Sequence, residues 1–102
     1  MKKIKITLTW DEMNAMLNDM LARVDTLGAT YEYKLAMSVL MEWCIQLQPK
    51  LMFRKHKPFK LQMKVSTAIA LILFILSQQR DASIWLDNVY IRLNNTIQQQ
   101  LA

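Results

Sequence analysis

The sequence predicts an α+β fold that is mostly helical. We expect two β-α-α units whose strands pair as a two-stranded antiparallel ribbon with four helices. An alternating apolar and polar run occurs twice, at residues 4–9 and 61–66, and each run ends in a hydroxyl residue followed by a helical pattern. Only one Gly and two Pro occur in 102 residues, which favours long regular elements over an all-β fold. The length fits a single domain, 1–102, divided into pseudo-repeat units 1–49 and 58–102.

The first unit opens with a strand, predicted at residues 3–8, where apolar residues alternate with Lys and Thr. Thr9 and Glu12 then form a capping-box pattern, in which the hydroxyl and the carboxylate accept hydrogen bonds from free backbone N–H groups. Apolar residues recur at helical spacing after this box, so the first helix is expected to follow. Gly28 stands where a left-handed cap would end that helix.

The second helix is predicted over about 31–48, with an apolar side broad enough to pack on two faces. Pro49 ends or kinks this helix because it lacks a backbone N–H group. Residues 50–58 connect the two units, with room for one more helical turn. The second strand, predicted at 59–65, follows the connection directly.

The second unit repeats the strand, cap and helix. Ser66 is expected to cap the third helix, at about 67–79, which is apolar on all sides and is therefore predicted to be buried. The fourth helix is predicted over about 82–100, with Asp81 or Ser83 as its cap.

Positive charge is concentrated on the two strands and on the connection before the second one. The chain has 13 Lys and Arg residues against eight Asp and Glu residues, and nine of the basic residues lie in this region, which holds no acidic residue. Lysines that protect strand edges from aggregation account for only a few of them. Because like charges repel unless an anion neutralises them, the pattern indicates a polyanionic partner. The nine are Lys2, Lys3, Lys5, Lys50, Arg54, Lys55, Lys57, Lys60 and Lys64.

Residues 3–47 resemble the ribbon-helix-helix family, whose unit is a strand, a capped helix, a turn and a second helix. The run from Leu8 to Glu12 is similar to the family's passage from strand into first helix. The run from Leu27 to Thr30 is similar to its turn, where a small hydroxyl residue opens the second helix. The resemblance implies that paired strands enter the DNA major groove and that the second helix holds a backbone phosphate at its N-terminus.

Carried over by position, the resemblance implies base-reading side chains on the outward face of the first strand and a phosphate anchor where the second helix begins. If the second unit is a divergent copy, its strand completes the ribbon within one chain, since Lys and Gln are suitable donors to guanine and adenine edges. The basic connection adds charge beside the ribbon. The candidate nucleic-acid-binding residues are Lys3, Lys5, Thr7, Ala29, Thr30, Arg54, Lys55, Lys57, Lys60, Gln62 and Lys64.

Sequence signals for other kinds of chemistry are weak. His56 and Cys44 are the single residues of their types, without partners at metal-ligand spacing, and one glycine cannot build a phosphate loop. We therefore expect no enzyme, no metal and no cofactor. The longest apolar run, residues 68–76, is shorter than the roughly 20 residues of a transmembrane helix. With no signal peptide and one free Cys, a cytoplasmic location is expected.

Two functions lead among those consistent with these patterns, and a peripheral membrane role that depends on the positive charge is a third. The first is duplex DNA binding through the basic ribbon, as in a small regulator of transcription. The alternative is a helical protein-protein interaction module with no nucleic-acid role. The high apolar share of 53% also predicts a homodimer or a protein partner that covers leftover apolar surface.

Overall fold

The computed structural model describes residues 2–23, 31–54, 56–77 and 83–102, with only the backbone at positions 33 and 77. Two strands and four α-helices occur in these ranges, so the predicted α+β class with mostly helical content is confirmed. The elements in chain order are β1 (Lys3–Leu8), α1 (Trp10–Arg23), α2 (Tyr31–Leu47), a 3-10 helix (Gln48–Leu51), β2 (Phe59–Lys64), α3 (Val65–Ser77) and α4 (Ile84–Leu101).

The two strands pair with each other as an antiparallel ribbon, as predicted. The register places Lys3 opposite Lys64 and Leu8 opposite Phe59. Along both strands, buried residues alternate with exposed ones. One face of the ribbon is therefore packed against the helices, and the other face is open to solvent.

The hydrophobic core lies between the inner face of the ribbon and the helices. Ile4 and Leu8 of β1 are completely buried, as is Phe74 of α3. Phe74 meets Tyr90 of α4 edge to face, with ring centroids 6.1 Å apart. The hydroxyl of Tyr90 donates to a carboxylate oxygen of Asp19 at 2.6 Å, so three helices meet at this residue.

The capping box at the start of α1 is confirmed. The backbone N–H of Glu12 donates to the Thr9 hydroxyl at 3.2 Å, and the N–H of Thr9 donates to the Glu12 carboxylate at 2.9 Å. At α4, the hydroxyl of Ser83 accepts from the N–H of Leu86 at 3.2 Å, which makes Ser83 the cap of that helix. Gly28 and Asp81 lie outside the described residues.

The passage from β2 into α3 differs from the prediction. The strand ends at Lys64 and the helix begins at Val65, so Ser66 lies inside the first turn and does not precede it. Val65 is apolar and fits both the inward row of the strand and the first turn of the helix. The alternating pattern therefore does not show where the strand, with its side-chain period of two residues, gives way to the helix, with its period of 3.6.

Contrary to prediction, α3 is not buried on all sides. Leu71 and Phe74 face the core and are completely buried. Ile69, Leu73 and Leu76 form a stripe on the opposite side, and Leu76 is 67% exposed. The helix is apolar all round, but it packs on one side only.

The end of α2 follows the prediction for Pro49. This residue lies in the first turn of the 3-10 helix, where the missing N–H group leaves no hydrogen bond unmade. The indole N–H of Trp10 donates to the carbonyl of Leu51 at 3.2 Å. The connection between the units is thereby fixed to the start of α1.

A side chain from α4 closes the outer edge of β1. The Gln100 carboxamide oxygen accepts from the backbone N–H of Lys5 at 2.8 Å, and its amide nitrogen donates to the carbonyl of Lys5 at 2.6 Å. These are the two bonds that a residue of a third strand would make. The carboxamide thus blocks an edge that would otherwise be open to pairing with another chain.

Replacing Gln100 with alanine is expected to lower the free energy of unfolding by about 1–2 kcal/mol, because two hydrogen bonds are lost at a partly solvated site. Urea denaturation followed by circular dichroism measures this change. Gln99→Ala is the matched control, since Gln99 is exposed and should contribute little. Equal effects of the two substitutions would contradict a role for the Gln100 carboxamide at the strand edge.

Candidate nucleic-acid interface

The outward face of the ribbon consists of six exposed side chains, three from each strand. We call these six residues the ribbon face. Sequence reasoning selected all six as candidates, and the register brings them together on one surface. They form the cross-strand pairs Lys3–Lys64, Lys5–Gln62 and Thr7–Lys60.

The pairs of the ribbon face are of the closely spaced type. The N–H and C=O of Lys5 bond to Gln100, so they point away from β2 and the Lys5–Gln62 pair is not hydrogen-bonded through the backbone. The other two pairs lie two residues away on either side, so they are of the same type. In such pairs the Cα atoms are about 4.5 Å apart and the side chains are close.

All the formal charges on the ribbon face are positive. Four of its six residues are lysines and none is acidic. Within the described ranges, none of the four lysines forms an ion pair. Lys3 and Lys64 stand directly opposite each other, an arrangement that costs free energy in the absence of an anion.

The shape of the ribbon suits a nucleic-acid groove. A strand of six residues is about 20 Å long, and a two-stranded ribbon fits the major groove of B-DNA, which is about 12 Å wide. The lysines are donors only, whereas Gln62 can donate and accept. The face can therefore neutralise phosphates and also pair with base edges.

The remaining candidate residues lie elsewhere. Arg54 is held at the start of α1, where its guanidinium is 3.2 Å from the Asp11 carboxylate and 5.3 Å from the centre of the Trp10 ring. Basic and acidic residues are thus less separated in space than in sequence. Lys57 is exposed in the connection before β2. Three further candidates lie outside the described residues, namely Ala29, Thr30 and Lys55.

Sequence reasoning missed one basic residue beside the ribbon face. Arg92 of α4 lines an open cleft of about 430 Å³ together with Lys5 and Thr7. Its guanidinium is 2.7 Å from a carboxylate oxygen of Glu12, which neutralises its charge. The two partners are 80 positions apart in the sequence, and no local pattern signals the pair.

Cys44 has the properties of a structural thiol. Burial raises its pKa to about 11, against a smaller lowering from a backbone hydrogen bond. The raised pKa keeps the group protonated at neutral pH, and the protonated thiol is a poor nucleophile.

Metal-ligand clusters and membrane-spanning helices are absent from the described residues. Among those that the structure describes, no three His, Cys, Asp or Glu side chains come together as metal ligands would. In that same part of the chain, no helix is both long enough and apolar enough to cross a membrane. Comparison of the chain with protein-family models, curated protein sequences and solved structures finds no match.

Proposed function

We propose that this protein binds duplex DNA through the ribbon face. The observation that carries the proposal is the register, which places four lysines and one glutamine on one exposed surface without a carboxylate, and these lysines have no ion-pair partner among the described residues. Such a surface is stabilised by a polyanion. The geometry of a two-stranded ribbon favours the DNA major groove as the binding site.

Contacts at the ribbon face divide into two kinds. The four lysines, Lys3, Lys5, Lys60 and Lys64, neutralise backbone phosphates and supply affinity and orientation. Gln62, in the central pair of the face, reaches base edges, where Gln prefers adenine. Under this proposal, the protein is a small regulator of transcription that resembles ribbon-helix-helix proteins.

We also propose that the two halves of the chain are copies of one β-α-α unit. In the repeated pattern, each residue of the first unit is equivalent to the residue 57 positions later. Lys5 and Gln62 are equivalent in this sense, and they are also opposite each other in the ribbon. A twofold axis through this pair reverses the strands, as antiparallel pairing requires. The axis lies near the middle of both strands, which supports a pseudo-symmetric ribbon.

The proposal predicts salt-sensitive binding to duplex DNA. Fluorescence anisotropy of a labelled duplex, titrated with the protein at several salt concentrations, measures the affinity. With up to four lysines on phosphates, the slope of log affinity against log salt should approach about −3.6, since each neutralised phosphate contributes about −0.9. Absence of binding at low salt, or an affinity independent of salt, would refute the proposal.

The alternative function, a protein-interaction module, is favoured by the exposed stripe on α3. The second half of α2 adjoins the first turn of α3, so these packed helices run antiparallel. Leu35 of α2, 69% exposed, therefore lies toward the same end as Leu73 and Leu76. This function predicts a stable oligomer or complex that is indifferent to DNA. Size-exclusion chromatography with light scattering, run with and without duplex, separates the two functions.

A further inference from the structure

We propose that a cleft at one end of the ribbon is a binding site for a phosphate group. This ribbon-end cleft has a volume of about 410 Å³ and lies between the ribbon, α2 and α3. Its walls include Lys3 and Lys64 from the ribbon, Glu42 from α2, and Ser66 and Thr67 from α3. Two lysines, two hydroxyl-bearing residues and a helix N-terminus therefore border one space.

The N-terminus of α3 supplies free backbone donors. The first N–H groups of any α-helix have no partner inside the helix, and its dipole makes that end partly positive. At α1 and α4, the hydroxyls of Thr9 and Ser83 accept bonds from these groups. At α3, which has 13 residues, no side chain of the described ranges does so. The donors remain available to an anion.

Thr67 provides an independent indication of a ligand. It is only 7% exposed and lines the cleft, and within the described residues no hydrogen bond involves its hydroxyl. In that part of the structure, every side-chain oxygen that is fully shielded from solvent has a hydrogen-bond partner. Because the Thr67 hydroxyl has none, it is accessible from the cleft that the residue lines. A hydroxyl that reaches the cleft and has no described protein partner can donate a hydrogen bond to a ligand oxygen.

The lysines favour an anion, and Glu42 limits where it can bind. Lys3 and Lys64 face each other in a close cross-strand pair, and neither has an ion-pair partner in the described ranges. An anion between their ammonium groups and the start of α3 relieves the repulsion. The Glu42 carboxylate on the α2 wall is exposed and opposes an anion on its own side. The anion is thereby directed toward Thr67 and the lysines.

Phosphate suits this set of donors better than a carboxylate does. Its tetrahedral oxygens can accept from backbone N–H groups, a hydroxyl and two ammonium groups at the same time. The phosphate group can belong to a DNA backbone or to a free phosphorylated small molecule. Only the first source rests on the proposed function.

Inorganic phosphate tests the site directly. In ¹H–¹⁵N NMR spectra at constant ionic strength, we expect saturable shifts of the Ser66 and Thr67 amides as phosphate replaces chloride. Thr67→Val keeps the shape of the side chain and removes the hydroxyl, so phosphate affinity should fall about 10-fold. Glu42→Gln removes the opposing charge and should raise the affinity about threefold. This second variant keeps the test decisive if Thr67→Val folds poorly.

The same variants identify the source of the phosphate. If Thr67→Val weakens duplex binding as much as phosphate binding, the cleft takes a DNA backbone phosphate. If duplex binding is unchanged while phosphate binding falls, the ligand is a free phosphorylated molecule. Shifts that do not saturate, or that are the same in wild type and in both variants, would overturn the proposal. If the protein binds phosphate saturably but does not bind DNA, the phosphate site in the cleft is supported and the DNA-binding function is refuted.

Discussion

The double substitution Lys5→Ala/Lys60→Ala is expected to weaken duplex DNA binding about 60-fold at about 0.1 M salt. Each lysine that neutralises a phosphate contributes about 0.9 log units of affinity per tenfold change in salt. Losing two contacts should therefore make the salt slope less negative by about 1.8. Anisotropy titrations of wild type and variant with the same duplex measure both quantities. Neither side chain lines the ribbon-end cleft, so phosphate binding there should persist.

Lys34→Ala is the control for this prediction, compared with the single substitution Lys5→Ala. Lys34 is exposed on α2, where its ammonium lies 5.9 Å from the centre of the Tyr31 ring, outside the ribbon face. The two variants lose the same charge, but only Lys5→Ala should lower affinity by more than about twofold. Equal losses would mean that overall positive charge, and not the ribbon face, binds DNA.

The backbone contacts at the edge of β1 help to explain why the strands carry lysines. Edge lysines protect sheets from pairing with other chains. At the middle of β1 that protection is already provided by Gln100, which occupies the N–H and C=O of Lys5. The side chain of Lys5 is therefore not needed to block the edge. Edge protection therefore does not account for Lys5, whereas the anionic ligand that we propose does.

The parts of the fold that were predictable have local signals. Alternation with period two marks both strands, and the same alternation decides which side chains face outward. The capping box needs only Thr9 and Glu12, three positions apart, and both of its bonds form. The antiparallel pairing follows from the repeat, because a twofold axis across a ribbon reverses its strands.

The features that sequence reasoning missed depend on contacts between distant positions. Gln100 binds Lys5 across 95 positions, and nothing near either residue marks the pair. Arg54 belongs to a basic run in the sequence but is held by Asp11, 43 positions earlier. Such contacts follow from how the helices pack on the ribbon, and a charge count along the chain does not contain that information.

Helix α3 illustrates a different limit. Its composition is apolar on every side, which predicts burial on every side. In the structure it packs against α2, α4 and the ribbon on one side, while Leu76 remains 67% exposed on the other. The hydrophobicity of a helix indicates its tendency to be buried. It does not indicate how many other elements are available to cover the helix. Among the described elements, α2, α4 and the ribbon cover one face of α3 and leave the stripe on its other face exposed.

Phe74→Ala is expected to lower the free energy of unfolding by about 3–5 kcal/mol, because a large aromatic side chain is lost from a fully packed site. The edge-to-face contact with Tyr90 is lost with it. This is a large part of the 5–15 kcal/mol typical of a whole domain. Urea denaturation followed by circular dichroism measures the loss.

Leu76→Ala on the same helix is the matched control for Phe74→Ala. Its side chain is 67% exposed, so truncation should cost less than about 1 kcal/mol in a monomer. A loss from Leu76→Ala as large as that from Phe74→Ala, and dependent on protein concentration, would mean that the exposed stripe of α3 is buried against another chain in solution. That outcome would favour the protein-interaction function, because stability would then depend on the helical face and not on the ribbon. Equal losses without concentration dependence would contradict the packing of α3, with Phe74 in the core and Leu76 at the surface.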